Sequence, residues 1–224
     1  MLVKPLFHDR FEAGEILGRQ LGGIVAGRNA VVLALPRGGV PVGFEAARTL
    51  DADLDILLVQ KLGVPGHEEL AIGAIASGGV RVLNEDLIKE LYLSSLLIER
   101  ITAREQREIE RRERLYRQGR PPLPVGGRTV ILIDDGLATG ATMLAAARAL
   151  RTRRPDRIIV AVPVAAPETC EELRQHVDEV VCLATPDPFY AVGVWYEHFS
   201  QTSDDEVRGL LELASRERAP LRSA

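Results

Sequence analysis

Lysine is scarce in this 224-residue chain: of 28 basic residues only Lys4, Lys61 and Lys89 are not arginine, and 32 acidic residues leave a formal charge of −4. An acidic chain of this kind offers no broad cationic face, so nucleic acid is not an expected partner on charge alone. Cysteine is nearly missing too. Cys170 and Cys182 show no C-x-x-C spacing and have no neighbouring ligand set, which excludes a zinc site and leaves two reduced, packing thiols as the expectation. His8, His67, His176 and His198 form no H-E-x-x-H pattern. No stretch approaches the ~18 uninterrupted apolar residues of a membrane span. Met1 to Phe7 lacks a basic start followed by a long apolar run, so a soluble cytoplasmic protein without membrane contact is expected. Neither G-x-x-x-x-G-K-S/T nor G-x-G-x-x-G occurs, which removes the P-loop nucleotidases and the dinucleotide-binding enzymes.

What the chain has instead is apolar residues, 46% of the total, set out in alternating periods. Near-continuous apolar runs at 31–35, 54–59, 129–134, 158–163 and 179–183 predict strands. Amphipathic stretches at about 10–25, 41–50, 167–177 and after Thr142 predict helices. Asp9 with Glu12 caps the first helix, and Asn84 with Glu85 and Asp86 opens a long helical region closed near Gln118 by Gly119 and Pro121-Pro122. Alternating strands and helices, with strands apolar on both faces, predict a three-layer α/β/α fold around a mostly parallel sheet. Ligands of such sheets bind beyond the carboxyl ends of the strands.

One segment at such an end is chemically explicit. Residues Val130 to Thr142 read V-I-L-I-D-D-G-L-A-T-G-A-T: a buried strand, two carboxylates, a turn and a helix start. Thr139, Gly140, Ala141 and Thr142 set unpaired amides and two hydroxyls at a helix N-terminus, an anion cradle that needs no lysine. Asp134 and Asp135 suit neighbouring sugar hydroxyls, directly or through a hydrated divalent cation. Phosphate at one end and diol at the other describe a sugar phosphate.

This segment resembles the phosphoribosyl-pyrophosphate (PRPP) motif of type I phosphoribosyltransferases. The resemblance implies Mg²⁺-dependent transfer of phosphoribose from PRPP to a nitrogenous acceptor, a nucleobase first of all, with release of pyrophosphate. It assigns Asp134 and Asp135 to the ribose hydroxyls and, through water, to magnesium. Gly136, Leu137, Ala138, Thr139, Gly140, Ala141 and Thr142 become the loop around the 5-phosphate.

A departing diphosphate needs its own anion site. Leu35-Pro36-Arg37-Gly38-Gly39-Val40-Pro41 follows the first core strand directly, with Arg37 as a permanent forked charge and Gly38 and Gly39 exposing amides. It resembles the family's pyrophosphate loop, in which relatives can carry a cis peptide between non-proline residues, so Pro36–Arg37 or Arg37–Gly38 is the expected place for one. The run 57–61 reads as a strand ending in Lys61. Composition leaves that lysine a solvated strand-end charge, whereas the family pattern sets it near the diphosphate. Arg37, Lys61, Asp134 and Asp135 are therefore the candidate catalytic residues. Residues 60–83 read as a Gly/Pro-rich loop and a hairpin, which the resemblance makes a mobile hood. On the same pattern 1–224 forms one phosphoribosyltransferase-like domain, with 84–118 as a helical insertion and 184–224 as a C-terminal segment.

The acceptor is less legible. Phe189, Tyr190, Trp195 and Tyr196 gather after the last core strand, either to stack on a planar base or to fill the core, and both readings stand. In purine-salvage relatives an acidic residue can occupy the fifth place of the D-D-x-x-x run; here it is Ala138, which leaves Glu68, Glu69, Asp187 and Glu197 as carboxylates for proton transfer. Seven arginines and four glutamates crowd Arg104 to Arg120. Glu108–Arg112, Glu110–Arg114 and Glu113–Arg117 stand in the favourable i,i+4 order, so a solvated, ion-paired helix is expected. The rival reading makes Arg104, Arg107 and Arg111 the nucleic-acid face of a PRPP- or nucleotide-sensing regulator without transferase activity. Leu87, Leu91, Ile98 and Ile101 pack either on the domain or on a second subunit, which leaves a homodimer open.

Overall fold

The computed structural model describes residues 4–218, apart from the side chains of residues 68 and 69. In chain order its elements are α1 (Arg10–Val25), β1 (Ala30–Ala34), α2 (Gly39–Leu50), β2 (Asp53–Ile56), β3 (Val59–Val64), β4 (His67–Ala76) and β5 (Val80–Leu83). There follow α3 (Glu85–Glu90), α4 (Ser95–Arg117), β6 (Thr129–Ile133), α5 (Ala141–Arg151), β7 (Arg157–Val164), α6 (Pro167–Arg174), β8 (Glu179–Ala184) and α7 (Asp204–Arg218), with a short 3₁₀ turn at Val192–Trp195. Five strands make a parallel sheet in the order β2-β1-β6-β7-β8.

The apolar strands are buried on both faces because their side chains alternate between two helical layers. Val31, Leu33, Val130, Leu132, Ile158 and Val160 pack with Met143, Ala147 and Leu150 of α5 and Leu173 of α6. Val32, Ile131, Ile133, Ile159 and Ala161 pack the other way, on Leu17 and Leu21 of α1 and Val42 and Ala46 of α2. The architecture is the expected α/β/α sandwich. At about 1.5–3 kcal/mol for each large side chain removed from water, these two layers dominate the fold's stabilisation.

Three expectations are corrected. The run 54–59 is not one strand: β2 ends at Ile56, and Leu57 and Leu58 turn out of the sheet. Leu57 still donates to the Ala34 carbonyl at 3.0 Å, while Leu58 is stitched to Ser77 through two bonds of 2.8 and 3.0 Å. From Val59 the chain belongs to a second, antiparallel sheet β3-β4-β5: the expected hairpin across Gly78-Gly79 is present as β4 and β5, but the expected loop before it is strand β3 and the start of β4, and Lys61 sits within β3 opposite Ala74. A continuous buried run carries no mark of where its hydrogen-bond partner changes, which is why the sequence hides this boundary.

The helical region 84–118 is two helices, α3 and α4, broken where Tyr92 adopts a φ of 51° and capped again by Ser94. Ile88, Ile98, Ile101, Ile109 and Tyr116 are buried against the second sheet and against Val207 and Leu211 of α7, with Leu87 and Leu91 alongside. These apolar positions are thus covered by the chain itself. Among the described residues only Glu113–Arg117 of the three expected i,i+4 pairs forms; Glu108 takes Arg111, and Glu110 accepts from Gln106. Arg117 is not solvated at all. It is buried against Asp55.

The third correction concerns the cysteines. Helix α6 returns beside β8, and Cys170 and Cys182 meet there as a disulfide rather than as two separate thiols, because a short helix–turn–strand return faces the two side chains toward each other. Helix α7 was not anticipated, although Ser203 accepts from the Glu206 amide at its start and Val207 and Leu211 recur at i,i+4. Among the described residues no helix is long and apolar enough to cross a membrane.

Candidate active site

Strands β1 and β6 are hydrogen-bonded neighbours in register, Ala34 opposite Ile133, so the two motif loops leave the sheet side by side and at one level. Leu35 continues the pairing by donating to the Ile133 carbonyl at 2.8 Å. The Pro36–Arg37 peptide is cis, at the expected place. Beyond it the glycines explain themselves. A Cβ on Gly38 would lie 2.0 Å from Oδ2 of Asp135, and one on Gly39 would lie 2.8 Å from the Ile133 carbonyl and 3.1 Å from Oδ1 of Asp134. Only bare backbone fits against the two carboxylates. The Gly39 amide, expected to be exposed, instead donates to the Leu35 carbonyl at 3.1 Å, which leaves the Gly38 amide as the one of the two without a backbone acceptor among the described residues.

The carboxylates are held differently. Asp134 Oδ1 accepts from the Asp135 amide at 2.9 Å. Asp135 Oδ2 accepts from Arg10, whose Nε and Nη2 both stand 2.8 Å away. The Asp135 carbonyl accepts from the Tyr196 hydroxyl at 2.5 Å. Burial raises the Asp134 pKa well above the ordinary carboxylate range, and the Asp135 charge adds to the effect. Burial also raises the Asp135 pKa, against the pull of Arg10. Burial keeps the Tyr196 phenol protonated far above its usual value, so it remains a donor. Among the described residues nothing bonds to Asp134 Oδ2 or Asp135 Oδ1, so two adjacent carboxylates, each costly to ionise alone, present one free oxygen apiece.

The turn that follows is braced from behind. Leu137 donates to the Val164 carbonyl, Ala166 donates to the Leu137 carbonyl, and Thr169 Oγ1 donates to the Ala138 carbonyl at 2.5 Å. Gly140 caps α5 with a φ of 64°, and a Cβ there would meet Thr169 at 2.5 Å. Because the carbonyls are the groups tied down, the amides of Thr139, Gly140, Ala141 and Thr142 have no backbone acceptor among the described residues. Val192 of the 3₁₀ turn closes over Gly136, whose Cβ position lies 2.5 Å from it.

Of the remaining candidates, Arg37 is half-exposed in its loop, with Nη1 3.7 Å from Asp204 at the start of α7. Asp204 in turn accepts from the buried Tyr116 hydroxyl at 2.6 Å. Lys61 lines a cavity of about 740 Å³ between the second sheet and α5, with Ala141, Leu144 and Arg148, so it lies on the flank of the anion cradle. Trp195 and Tyr196 are core residues, packed with Phe7 and Val164, and are not free to stack on a ligand. Phe189 is half-buried, its ring centroid 6.4 Å from that of Trp195, and Tyr190 is exposed. The side chains of Glu68 and Glu69 lie outside the described residues, while Glu197 pairs with His8 and raises its pKa. Arg10 was missed. It lies 125 positions from Asp135 and carries no motif, so no local signal in the sequence points to it.

A family model described as a phosphoribosyl transferase domain matches residues 13–198. The chain belongs to the phosphoribosyl transferase family. Proteins from two Mycobacterium tuberculosis strains, provisionally named phosphoribosyl transferases, are 46% identical over 212 residues, which is 95% of this chain and 48% of theirs. The chain therefore spans about half the length of these curated relatives. The crystal structure of TT1426 from Thermus thermophilus has a TM-score of 0.82 at 43% identity, covering 92% of this chain and 97% of that one. A uracil phosphoribosyltransferase of a Nocardioides species is 42% identical over 59 residues, 26% of this chain and 28% of its own.

Proposed function

We propose that this phosphoribosyl transferase family member moves phosphoribose from PRPP to a nitrogenous acceptor, a nucleobase first of all, releasing pyrophosphate with the help of Mg²⁺. One observation carries the reading: Gly38 lies directly against Asp135 and Gly39 against Asp134, beside a turn whose Thr139 to Thr142 amides have no backbone acceptor among the described residues. An anion cradle, two free carboxylate oxygens and a second loop, carrying Arg37 and the Gly38 amide, then stand in the order phosphate, diol, diphosphate. Asp134 Oδ2 and Asp135 Oδ1 accept from the two ribose hydroxyls. Thr139 to Thr142 hold the 5-phosphate, and Arg37 exchanges Asp204 for the diphosphate, with Lys61 contributing charge from β3.

The transition state of such a transfer has oxocarbenium character, so the protein's task is to align the reactants and stabilise departing negative charge. Magnesium, when bound, supplies further charge neutralisation at the diphosphate. Two carboxylates with single free oxygens, and no group of three acidic or imidazole side chains among the described residues, fit a cation that keeps waters and shares substrate oxygens. Exposed Tyr190 and half-buried Phe189 are the aromatics left to meet a planar acceptor. With alanine at 138, the acceptor's proton must go elsewhere.

The test is a panel of nucleobases, uracil included, and small amines with PRPP and Mg²⁺, scored by pyrophosphate release. Release with one acceptor class supports the transferase. Tight PRPP binding without release across the panel instead makes the domain a PRPP sensor.

A further inference from the structure

The geometry points to Arg10 as a positioning residue, one that fixes the Asp135 carboxylate for the sugar hydroxyls and makes the segment at Phe199–Ser200 part of the site. This rests on the phosphoribosyl transfer proposed above. Arg10 begins α1, outside the span matched by the family model, yet its side chain is only 10% exposed and ends at the acidic pair.

Each nitrogen of its guanidinium has a polar neighbour. Nε and Nη2 reach Asp135 Oδ2 at 2.8 Å each, Nη1 donates to the Ser200 carbonyl at 2.7 Å, and the group's central carbon lies 3.8 Å from the centre of the Phe199 ring. Nε donates to Oδ2 and Nη2 lies equally near it, so the guanidinium holds that oxygen in place and, with it, the rotation of the carboxylate and the direction of Oδ1. Gly38 closes the opposite side, since no side chain fits between it and Oδ2. Asp135 is thus clamped between an arginine from one end of the chain and a backbone from the diphosphate loop. With its carbonyl also held by Tyr196, the residue keeps one free oxygen and one orientation. Among the described residues no cation pairs with Asp134, whose Oδ1 is held instead by the Asp135 backbone amide.

The cation also stands where the 199–200 segment passes. Phe199 stacks on Arg10 on one side and lies 5.1 Å, centroid to centroid, from Tyr196. Arg10, Phe199 and Tyr196 form a clasp joining the start of α1 and the segment after the 3₁₀ turn to a single aspartate. A lysine in place of Arg10 keeps one charge and loses the fork.

The experiment measures PRPP binding by calorimetry in Mg²⁺, with thermal unfolding alongside, for the intact protein, Arg10→Lys, Arg10→Gln, Asp135→Asn and the Arg10→Gln/Asp135→Asn pair. A positioning role predicts that Arg10→Gln weakens PRPP binding about 10- to 100-fold. Arg10→Lys recovers part of that loss, and the double variant falls no further than Asp135→Asn alone. A purely structural role leaves the Kd of the folded fraction unchanged and lowers only the melting temperature, which overturns the inference; so do additive losses in the double variant. If Arg10→Gln does not fold, Arg10→Lys is read in its place against the same criterion. Absence of PRPP binding by the unaltered protein overturns the transfer reading and this inference together, whereas normal PRPP binding by Arg10→Gln removes the Arg10 role alone.

Discussion

Two aspartates in this molecule sit against a buried arginine, and their oxygens meet opposite fates. Asp55 on β2 is closed: Oδ1 accepts from the Ile56 amide and from Arg117 Nε, and Oδ2 accepts from the Leu123 amide. Arg117 is closed as well, with Glu113 and the Ile56 carbonyl on its other nitrogens. Asp135 receives Arg10 on Oδ2 and nothing on Oδ1, next to an Asp134 that is half-satisfied in the same way. A buried ion pair whose hydrogen-bonding capacity is filled serves the fold. One that leaves matching acceptors open, at the end of a parallel strand and under a bare glycine loop, carries a cost that folding does not require. That surplus cost is what marks a ligand site.

The contrast is broken most severely at its open end. Asp134→Asn together with Asp135→Asn is expected to weaken Mg²⁺-dependent PRPP binding at least about 100-fold, roughly 2.8 kcal/mol, while circular dichroism stays native. Wild-type affinity in a calorimeter would remove both residues from the site. At the closed end, Arg117→Ala strands a buried Asp55 and should cost about 3–5 kcal/mol in urea unfolding, with PRPP affinity per folded molecule unchanged. An equal loss of affinity would show that the two pairs are one network. A third test uses pH. Because the folded Asp134 carboxyl ionises above the ordinary range, its contribution is whole below that range and is lost as pH rises through the raised folded value. In metal-free buffer Asp134→Asn should therefore gain urea resistance over the unaltered protein between acid and neutral pH; parallel curves would deny the shift. Smallest of all is the exposed His8–Glu197 pair. Its hydrogen bond raises the His8 pKa, so its contribution is present below the ordinary imidazole range and fades as pH rises through the raised value. The melting-temperature gap between His8→Ala and the unaltered chain should shrink from about pH 5 to about pH 8.

Legibility in the sequence followed locality. Val130 to Thr142 could be read because strand, carboxylates, turn and helix start are contiguous, and the Leu35–Pro41 loop because its glycines adjoin a strand end. The five parallel strands were visible as apolar runs, but not the point where 54–59 passes from one sheet to the other, since both environments are buried. Lys61 consequently moved from a core strand end to the flank of a cavity. For Trp195 and Tyr196 the sequence leaves stacking and core filling open, because aromatic side chains serve cores and ligands equally well, and here the core has them. Arg10 could not be seen at all, since it is joined to Asp135 by tertiary geometry alone. The disulfide depended likewise on a return of the chain that two isolated cysteines do not announce.

The in-register pairing of Ala34 with Ile133 has an evolutionary corollary. Deleting a single residue from β6 would turn its inward side chains toward the wrong helical layer and, by the same slip, draw the acidic pair away from Gly38. Core and chemistry share one ruler in this strand. A change in the length of β6 would therefore forfeit both at once.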